Sequence, residues 1–398
     1  MAAIPADSPA PPRRRPKDRK AQVERAAAEA FSAAGYHAVR MEAIAAKVGI
    51  SAPALYRHYP SKYDLFRAAV LNLGQQLVDC TEFVDSEPRA TLAQVISALI
   101  DVTLANRGSG GLYRWHSHYL RPPDQALLAD QMRLVNQRIH KPLNLIRPGL
   151  SSRQRWMLSA ALLSVVGSIV DHRVAMPAGD IRALLTDVGV AVLYADLPTG
   201  GESLPEPPRP KLFSDAGVYE SLLRASMTLF EERGYRETSM EQIAAAVGMP
   251  TSGIYRYFSG KSDILAIAMR RAADRISGEL SMILGIDDHP RQVLTRLIAT
   301  YVATSFANPE LVFVYYAERV NLAPADEVLL RNVQKSTIDS WVDLATSAWP
   351  GLTGIQARFR VHAAMALVVD VGRLVRYDAS AHSQACVRRL MELTLLGS

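Results

Sequence analysis

Apolar residues recur at helical spacing along almost the whole chain. Over 19–34 they put Val23, Ala27, Ala30, Phe31 and Ala34 on one side of a helix, and Gly35 follows as a stop. Longer segments at 93–106, 124–145, 152–172 and 180–196 carry the same period. It returns at 291–306, 310–320, 325–348, 356–377 and 380–396. Alternating β-branched runs between turn residues are nearly absent, so the pattern predicts an all-α fold. Two stretches break it. Residues 1–16 are rich in Pro and Ala and predict a disordered arm. Residues 198–212 hold Pro198, Pro205, Pro207, Pro208 and Pro210, which cannot sit inside a helix.

The pattern is also written twice. Met41-Glu42-x-Ile44-Ala45-Ala46-x-Val48-Gly49 recurs as Met240-Glu241-x-Ile243-Ala244-Ala245-x-Val247-Gly248, Tyr56-Arg57 as Tyr255-Arg256, and Lys62-x-Asp64 as Lys261-x-Asp263. The offset is a constant 199 residues, as between Gly35 and Gly234. That period is far longer than the ~20–50 residues of a solenoid unit, so it marks a duplicated domain. Each half is expected to be a short helical head followed by a larger helical body.

Within the first head, 41–48 reads as a short helix stopped by Gly49. Ser51 can cap the next, with Pro53 in its first turn, and Pro60 ends it. Two short helices joined by a Gly-Ile-Ser turn make a helix-turn-helix, whose second helix enters the major groove by its N-terminal residues. In the second head Ser239-x-x-Gln242 is a capping box, whereas the first has Arg40-x-x-Ala43. A cation at a helix N-terminus opposes the macrodipole by roughly 0.3–1 kcal/mol; it is either a phosphate contact or a solvated side chain. Pro250 stands where Ser51 caps, which leaves the start of the second reading helix less defined.

Gly49-Ile50-Ser51-x-x-x-Leu55-Tyr56-Arg57-His58-Tyr59-x-x-Lys62-x-x-Leu65 resembles the DNA-binding signature of TetR-family repressors, and so does Gly248-Met249-Pro250-x-x-x-Ile254-Tyr255-Arg256-Tyr257-Phe258-x-x-Lys261-x-x-Ile264. Two such units in one chain are similar to the single-chain tandem repressors of actinobacteria, some of which control lipid-uptake operons of the mammalian-cell-entry type. The resemblance implies a division into a basic arm (1–16), a first head (17–75), a first regulatory body (76–197), a linker (198–212), a second head (213–272) and a second body (273–398). It implies that Ala52, Pro53, Ala54 and Arg57 face bases in one head, and Thr251, Ser252, Gly253 and Arg256 in the other. Arg40, Ser51, Tyr56, His58, Lys62, Tyr255, Tyr257 and Lys261 fall at phosphate-contacting positions. Phenol and ammonium groups suit that role because they donate to phosphate oxygens without reading sequence. It also implies dimerisation through the last two long helices of each body, which makes one chain a pseudo-dimer.

The basic arm, Arg13, Arg14, Arg15, Lys17, Arg19 and Lys20, can enter a minor groove or track phosphates, or remain a solvated tail. The second head has only Arg209 and Lys211 there. Tyr113, Trp115, His118 and Tyr119, with Phe313, Tyr315, Tyr316 and Trp341, fall where the family places pocket helices. Aromatics at such spacing are more often core than pocket, but they make an apolar, lipid-like effector the expected ligand.

Composition narrows little further. A net charge of +6 and a pI near 9.3 are compatible with nucleic acid without requiring it. Two cysteines, Cys80 and Cys386, give no disulfide framework, which fits a cytoplasmic protein. His116 and His118 are two apart and do not share a helix face, so no metal is expected there. The longest apolar run, 157–170, is too short to span a bilayer. No Gly-rich phosphate loop or nucleophile elbow is present, and no cofactor is expected. A ligand-responsive repressor bound to a double-stranded operator is therefore the expectation. An architectural DNA-binding protein comes second and an α-helical enzyme a distant third.

Overall fold

The computed structural model describes residues 19–82, 87–199, 217–285 and 289–397. Within them the chain is helical, with no strand. The first half runs α1 (Arg19–Ala38), α2 (Met41–Lys47), α3 (Ala52–His58), α4 (Lys62–Cys80), α5 (Pro88–Ala105), α6 (Gly111–Trp115), α7 (Pro122–Ile146), α8 (Ser152–Gly167) and α9 (Ala178–Leu193). The second repeats the order as α10 (Val218–Arg233), α11 (Met240–Ala246), α12 (Thr251–Ile254), α13 (Lys261–Leu284), α14 (Pro290–Ala307), α15 (Pro309–Glu318), α16 (Pro324–Ala348), α17 (Gly354–Leu374) and α18 (Ala381–Leu396). A single 3-10 turn follows α6 (Ser117–Tyr119) and α15 (Arg319–Asn321).

Each head closes on its own core. Phe31, Ile44, Leu55 and Phe66 fill the first, and Phe230, Ile243, Ile254 and Ile264 the second. The bodies instead share one. A single apolar cluster runs from Leu77 to Leu396 and takes in α8, α9, α17 and α18, which pack as four helices between the halves. Helix α17 is buried along most of its length, with Ala363, Ala364, Leu367, Val368 and Val371 in the core, and its alanines let neighbours approach closely. Each fully buried Leu or Val contributes about 1.5–3 kcal/mol, so the halves are held by core packing rather than by a surface contact.

Helix α8 stops earlier than its sequence period suggests. Its last turn tightens to 3-10 at Ser168–Val170 and residues 171–177 leave the helix. Asp171 is drawn there to the Trp115 indole, whose Nε1 donates to it at 2.7 Å, and lies 3.3 Å from Arg114.

Candidate nucleic-acid interface and effector cavity

Both heads build a helix-turn-helix by local rules. In the first, Ser51 Oγ accepts from the Ala54 amide and caps α3, while Gly49 turns the chain with φ +67°. Ser61 Oγ then accepts from the Asp64 amide at 3.1 Å and opens α4. In the second, Ser239 and Gln242 form the reciprocal capping box on α11. Pro250 has no side-chain oxygen to offer, and α12 spans only Thr251–Ile254 before loosening into a turn. The two reading helices are therefore unlike in length as well as in sequence.

One side chain of each turn of α3 anchors it and the others face out. Leu55 is buried, and Tyr59 donates to the buried Glu24 carboxylate at 2.6 Å; burial, then Glu24, push its phenol well up. Tyr56, Tyr255 and Tyr257 are 42%, 54% and 41% exposed, whereas Phe258 is 1% exposed. The exposed phenols can reach a phosphate and the buried rings cannot. Pro53, Arg57 and His58 are exposed beside Tyr56, with Ala52 and Ala54 half-buried; Ser252 and Arg256 are exposed and Thr251 and Gly253 half-buried on the other head. Ser51 and Arg40 are exposed, and Arg40 makes no side-chain cap.

Three basic residues have a different place from the one their motif implies. Lys62 Nζ donates to the carbonyls of His37 (3.1 Å) and Val39 (3.3 Å) and sits 4.8 Å from the Tyr36 ring. Lys261 Nζ donates to the carbonyls of Tyr235 (2.8 Å), Arg236 (3.2 Å) and Thr238, 4.8 Å from the Tyr235 ring. An ammonium has three N–H donors, so Lys261 has none left for phosphate. Both lysines pin the loop after the first helix of their head onto the long helix. Arg19 belongs to α1, not to a free arm: its Nη1 donates to the Val48 carbonyl at 3.0 Å and ties α1 to the end of α2. Lys20 is solvent-facing on α1, and Arg13, Arg14, Arg15 and Lys17 lie outside the described residues.

The second body holds a cavity of about 170 Å³ between α13, α14, α15 and α16. Tyr315, Tyr316 and Trp341 line it, together with Tyr301, Leu297 and Met269; Thr304 donates to Glu279, which pairs with Arg275 at 3.2 Å on its wall. Its surface is mostly apolar with a few hydroxyls. At the corresponding place the first body is closely packed. Helix α4 lies on α7 at Gly74, where a Cβ would collide with the Gln131 amide and touch Leu128. Gln131 Nε2 donates to the Leu71 carbonyl at 3.2 Å and fixes that approach. The second half has Ala273 and Val333 at these positions, both on the cavity wall.

Tyr113, Trp115, His118, Tyr119 and Phe313 do not line this cavity. They form the junction of heads and bodies, because Arg114 draws α6 inward. The Arg114 guanidinium lies between Asp171 (3.3 Å) of its own half and Asp370 (2.6 Å) of the other. Burial alone would lower its pKa, but the two carboxylates outweigh that and raise it. Tyr113 packs between the first head and the bodies. Trp115 stacks on Tyr316 at 4.4 Å across the halves, His118 meets Glu318 at 3.4 Å, Tyr119 stacks on Tyr36 at 5.6 Å, and Phe313 lies under Arg373. The contacts are pseudo-symmetric. Gly35 of the first head lies against Val320 of the second half, and Gly234 of the second head against His118 and Tyr119 of the first. Both glycines have positive φ, +76° and +86°, and turn the chain without a side chain in the way. The heads also meet directly, His37 to Glu237 at 3.4 Å.

The two heads have counterparts among known proteins. The family described as Bacterial regulatory proteins, tetR family, matches residues 25–69 and again 222–267, one match per head. The chain carries the DNA-binding domain of the TetR family twice, once in each head. Its curated relatives include the HTH-type transcriptional regulator HbdR of Aromatoleum, 28% identical over 29% of this chain and 51% of that one. The HTH-type transcriptional repressor KstR2 of Mycolicibacterium smegmatis is 27% identical over 31% and 62%, and the HTH-type transcriptional activator FasR of the same species is 42% identical over 16% and 30%. The chain spans about half the length of the curated relatives it matches. A TetR-family regulator from Bordetella parapertussis, solved as a crystal structure, covers 45% of this chain and 95% of its own at 18% identity, with a TM-score of 0.40. Among the described residues no single helix is long and apolar enough to cross a membrane.

Proposed function

We propose that this chain represses transcription by gripping one asymmetric operator with two unlike heads, and that an apolar, lipid-like molecule in the second body's cavity releases it. The shared core of the two bodies carries the reading. It fixes two heads within one chain, so their reading helices need not be copies. Tyr56 and Tyr255 hold phosphates on each side, with Ser51, His58, Tyr257 and Arg40 beside them. Ala52, Pro53 and Ala54 offer methyl and ring surface to thymine, whereas Thr251 and Ser252 offer hydrogen bonds to base edges. Arg57 and Arg256 reach either. In this reading the chain is a cytoplasmic DNA-binding protein with no catalytic step.

The cavity supports the effector half of the reading. Its wall is apolar with a sparse set of hydroxyls, and Arg275 and Glu279 already satisfy each other, so no bare charge awaits a charged ligand. KstR2 is a repressor by name and FasR an activator, so the sign of regulation is tested directly. A reporter driven from the chain's own upstream region should rise when the gene is deleted. A fall would make it an activator. A purified chain that binds every duplex equally, whatever small molecule is added, would make it architectural.

A further inference from the structure

We infer that the two heads differ in readiness: the first reading helix is formed before it meets DNA, and the second completes itself on its half-site, so the first head docks first. This rests on the reading of one operator with two unlike half-sites. At the offset of 199 residues three exchanges separate the heads where their helices begin and run. Ser51, whose Oγ accepts from the Ala54 amide, becomes Pro250; Ala54 becomes Gly253; Ser61, whose Oγ accepts from the Asp64 amide at 3.1 Å, becomes Gly260. Neither Pro250 nor Gly260 gives a side-chain cap. Helix α3 accordingly runs seven residues and α12 four. Beyond Ile254 the Arg256 and Tyr257 amides reach only three residues back, to the Gly253 (3.3 Å) and Ile254 (2.9 Å) carbonyls, which is the tighter and weaker 3-10 spacing. The end of α3 is also held by a polar network that the second head replaces with apolar packing. Tyr59 and Asn72 both donate to the buried Glu24, at 2.6 and 2.9 Å. Where Glu24 and Tyr59 stand, the second head has Leu223 and Phe258, both in its core.

The inner side of the second segment stays docked, because Ile254 and Phe258 are fully buried and Phe258 stacks on Tyr219 at 5.0 Å. The looseness therefore falls on the outer side, at Thr251, Ser252, Arg256 and Tyr257, the residues placed to meet DNA. A cap, and an alanine in place of a glycine, each shift a helix–coil equilibrium by about fivefold, so Pro250 and Gly253 together disfavour the closed helix by roughly twentyfold. A segment that orders on binding gives up part of its contact energy to that ordering and fits more than one partner. The first head then supplies most of the grip. The second follows once the shared core has brought it over its half-site at high effective concentration.

Hydrogen exchange on the full chain, read by mass spectrometry and corrected for sequence, tests this. The protein is measured alone and on a duplex that it has itself selected from random sequence. Without DNA, amides at 252–258 should exchange about tenfold faster than those at 53–59. On the duplex the two segments should be protected alike. Equal rates without DNA, or a 252–258 segment that stays fast on the duplex, overturns the proposal. Pro250→Ser restores the cap and should slow 252–258 severalfold in free protein; an unchanged rate there also overturns it. Two further duplexes, each with one half-site scrambled, test the order. One should protect 53–59 while 252–258 stays fast, and the other should protect little at the same concentration. A duplex that protects 252–258 and leaves 53–59 free would show the second head docking first and overturn the order. Palindromes as the selected sites would remove the unlike half-sites, while the free-protein comparison would still decide whether the heads differ in readiness.

Discussion

Lys261 Nζ donates to the Tyr235 backbone carbonyl at 2.8 Å and lies 4.8 Å from the ring of the same residue. With the Arg236 and Thr238 carbonyls this uses every donor it has. The lysine acts inside the head, holding the loop that leads into the helix-turn-helix. Lys261→Ala should then lower the stability of the chain by about 1–3 kcal/mol, as lost charge-assisted hydrogen bonds do. The salt dependence of DNA binding should keep its slope. Removing a phosphate contact would lower that slope by about one unit instead. Thermal melting paired with binding isotherms at several salt concentrations separates the two roles.

Two buried histidines, His116 and His172, and the half-buried His362 make the fold acid-sensitive. Burial, then His362, Arg107 and Arg173, push His172 down to about 2; burial, then Arg358, push His362 down to about 4; burial, then His118 and Arg319, push His116 down to about 4. His172 and His362 stack at 4.4 Å across the two halves. These groups are neutral when folded and take up protons when unfolded below about pH 6.5. The unfolded state then binds more protons, so stability falls as pH drops from about 6.5 towards 4. The slope is about 1 kcal/mol per pH unit for each histidine. His362→Gln should flatten the dependence of the unfolding midpoint on pH over that range and leave the midpoint above pH 7 little changed.

Arg114 pairs with both Asp171 and Asp370, and its side chain is nearly fully buried. Arg114→Ala leaves two carboxylates facing each other and should cost about 3–5 kcal/mol, as breaking a buried pair does. Removing the charges together, as Arg114→Met/Asp171→Asn/Asp370→Asn, should recover much of that. Chemical denaturation of the three proteins measures it, and equal losses in both variants would assign the role to packing rather than charge.

Ligand stoichiometry should be one per chain. Gly74 and Gln131 close the first body where Ala273 and Val333 leave the second open. Calorimetric titration with dodecanol should saturate at a single site, and Ala273→Phe should abolish it. Saturation at two sites would show that the Gly74 contact opens in solution.

How much was legible depended on how local the signal was. The heads could be read residue by residue because caps, turns and the spacing of Gly49, Tyr56 and Lys62 are set within a few turns of helix. The four-helix junction was legible through the run of small and branched residues on α17. The cavity was legible only in part: Tyr315, Tyr316 and Trp341 do line it, but which body opens turns on how closely two helices distant in sequence approach. Gly74 against Ala273 looks like a trivial exchange until Gln131 is seen in the space. The lysines misled for a related reason. Their motif position is shared with a DNA surface, but the carbonyls that hold them lie 23 to 26 residues away. Trp115 and His118 had the aromatic pattern of a pocket, yet Arg114 turns their segment into the joint between halves.

Two different heads on one chain should read one operator. Selection of the tightest sites from random duplexes by the full-length protein, with its mass on DNA measured alongside, addresses it most directly. Two unlike half-sites, about one helical turn or a multiple apart, are expected. Replacing either with an inverted copy of the other should cost about 1–3 kcal/mol per mismatched base pair. Perfect palindromes as the tightest sites would contradict it.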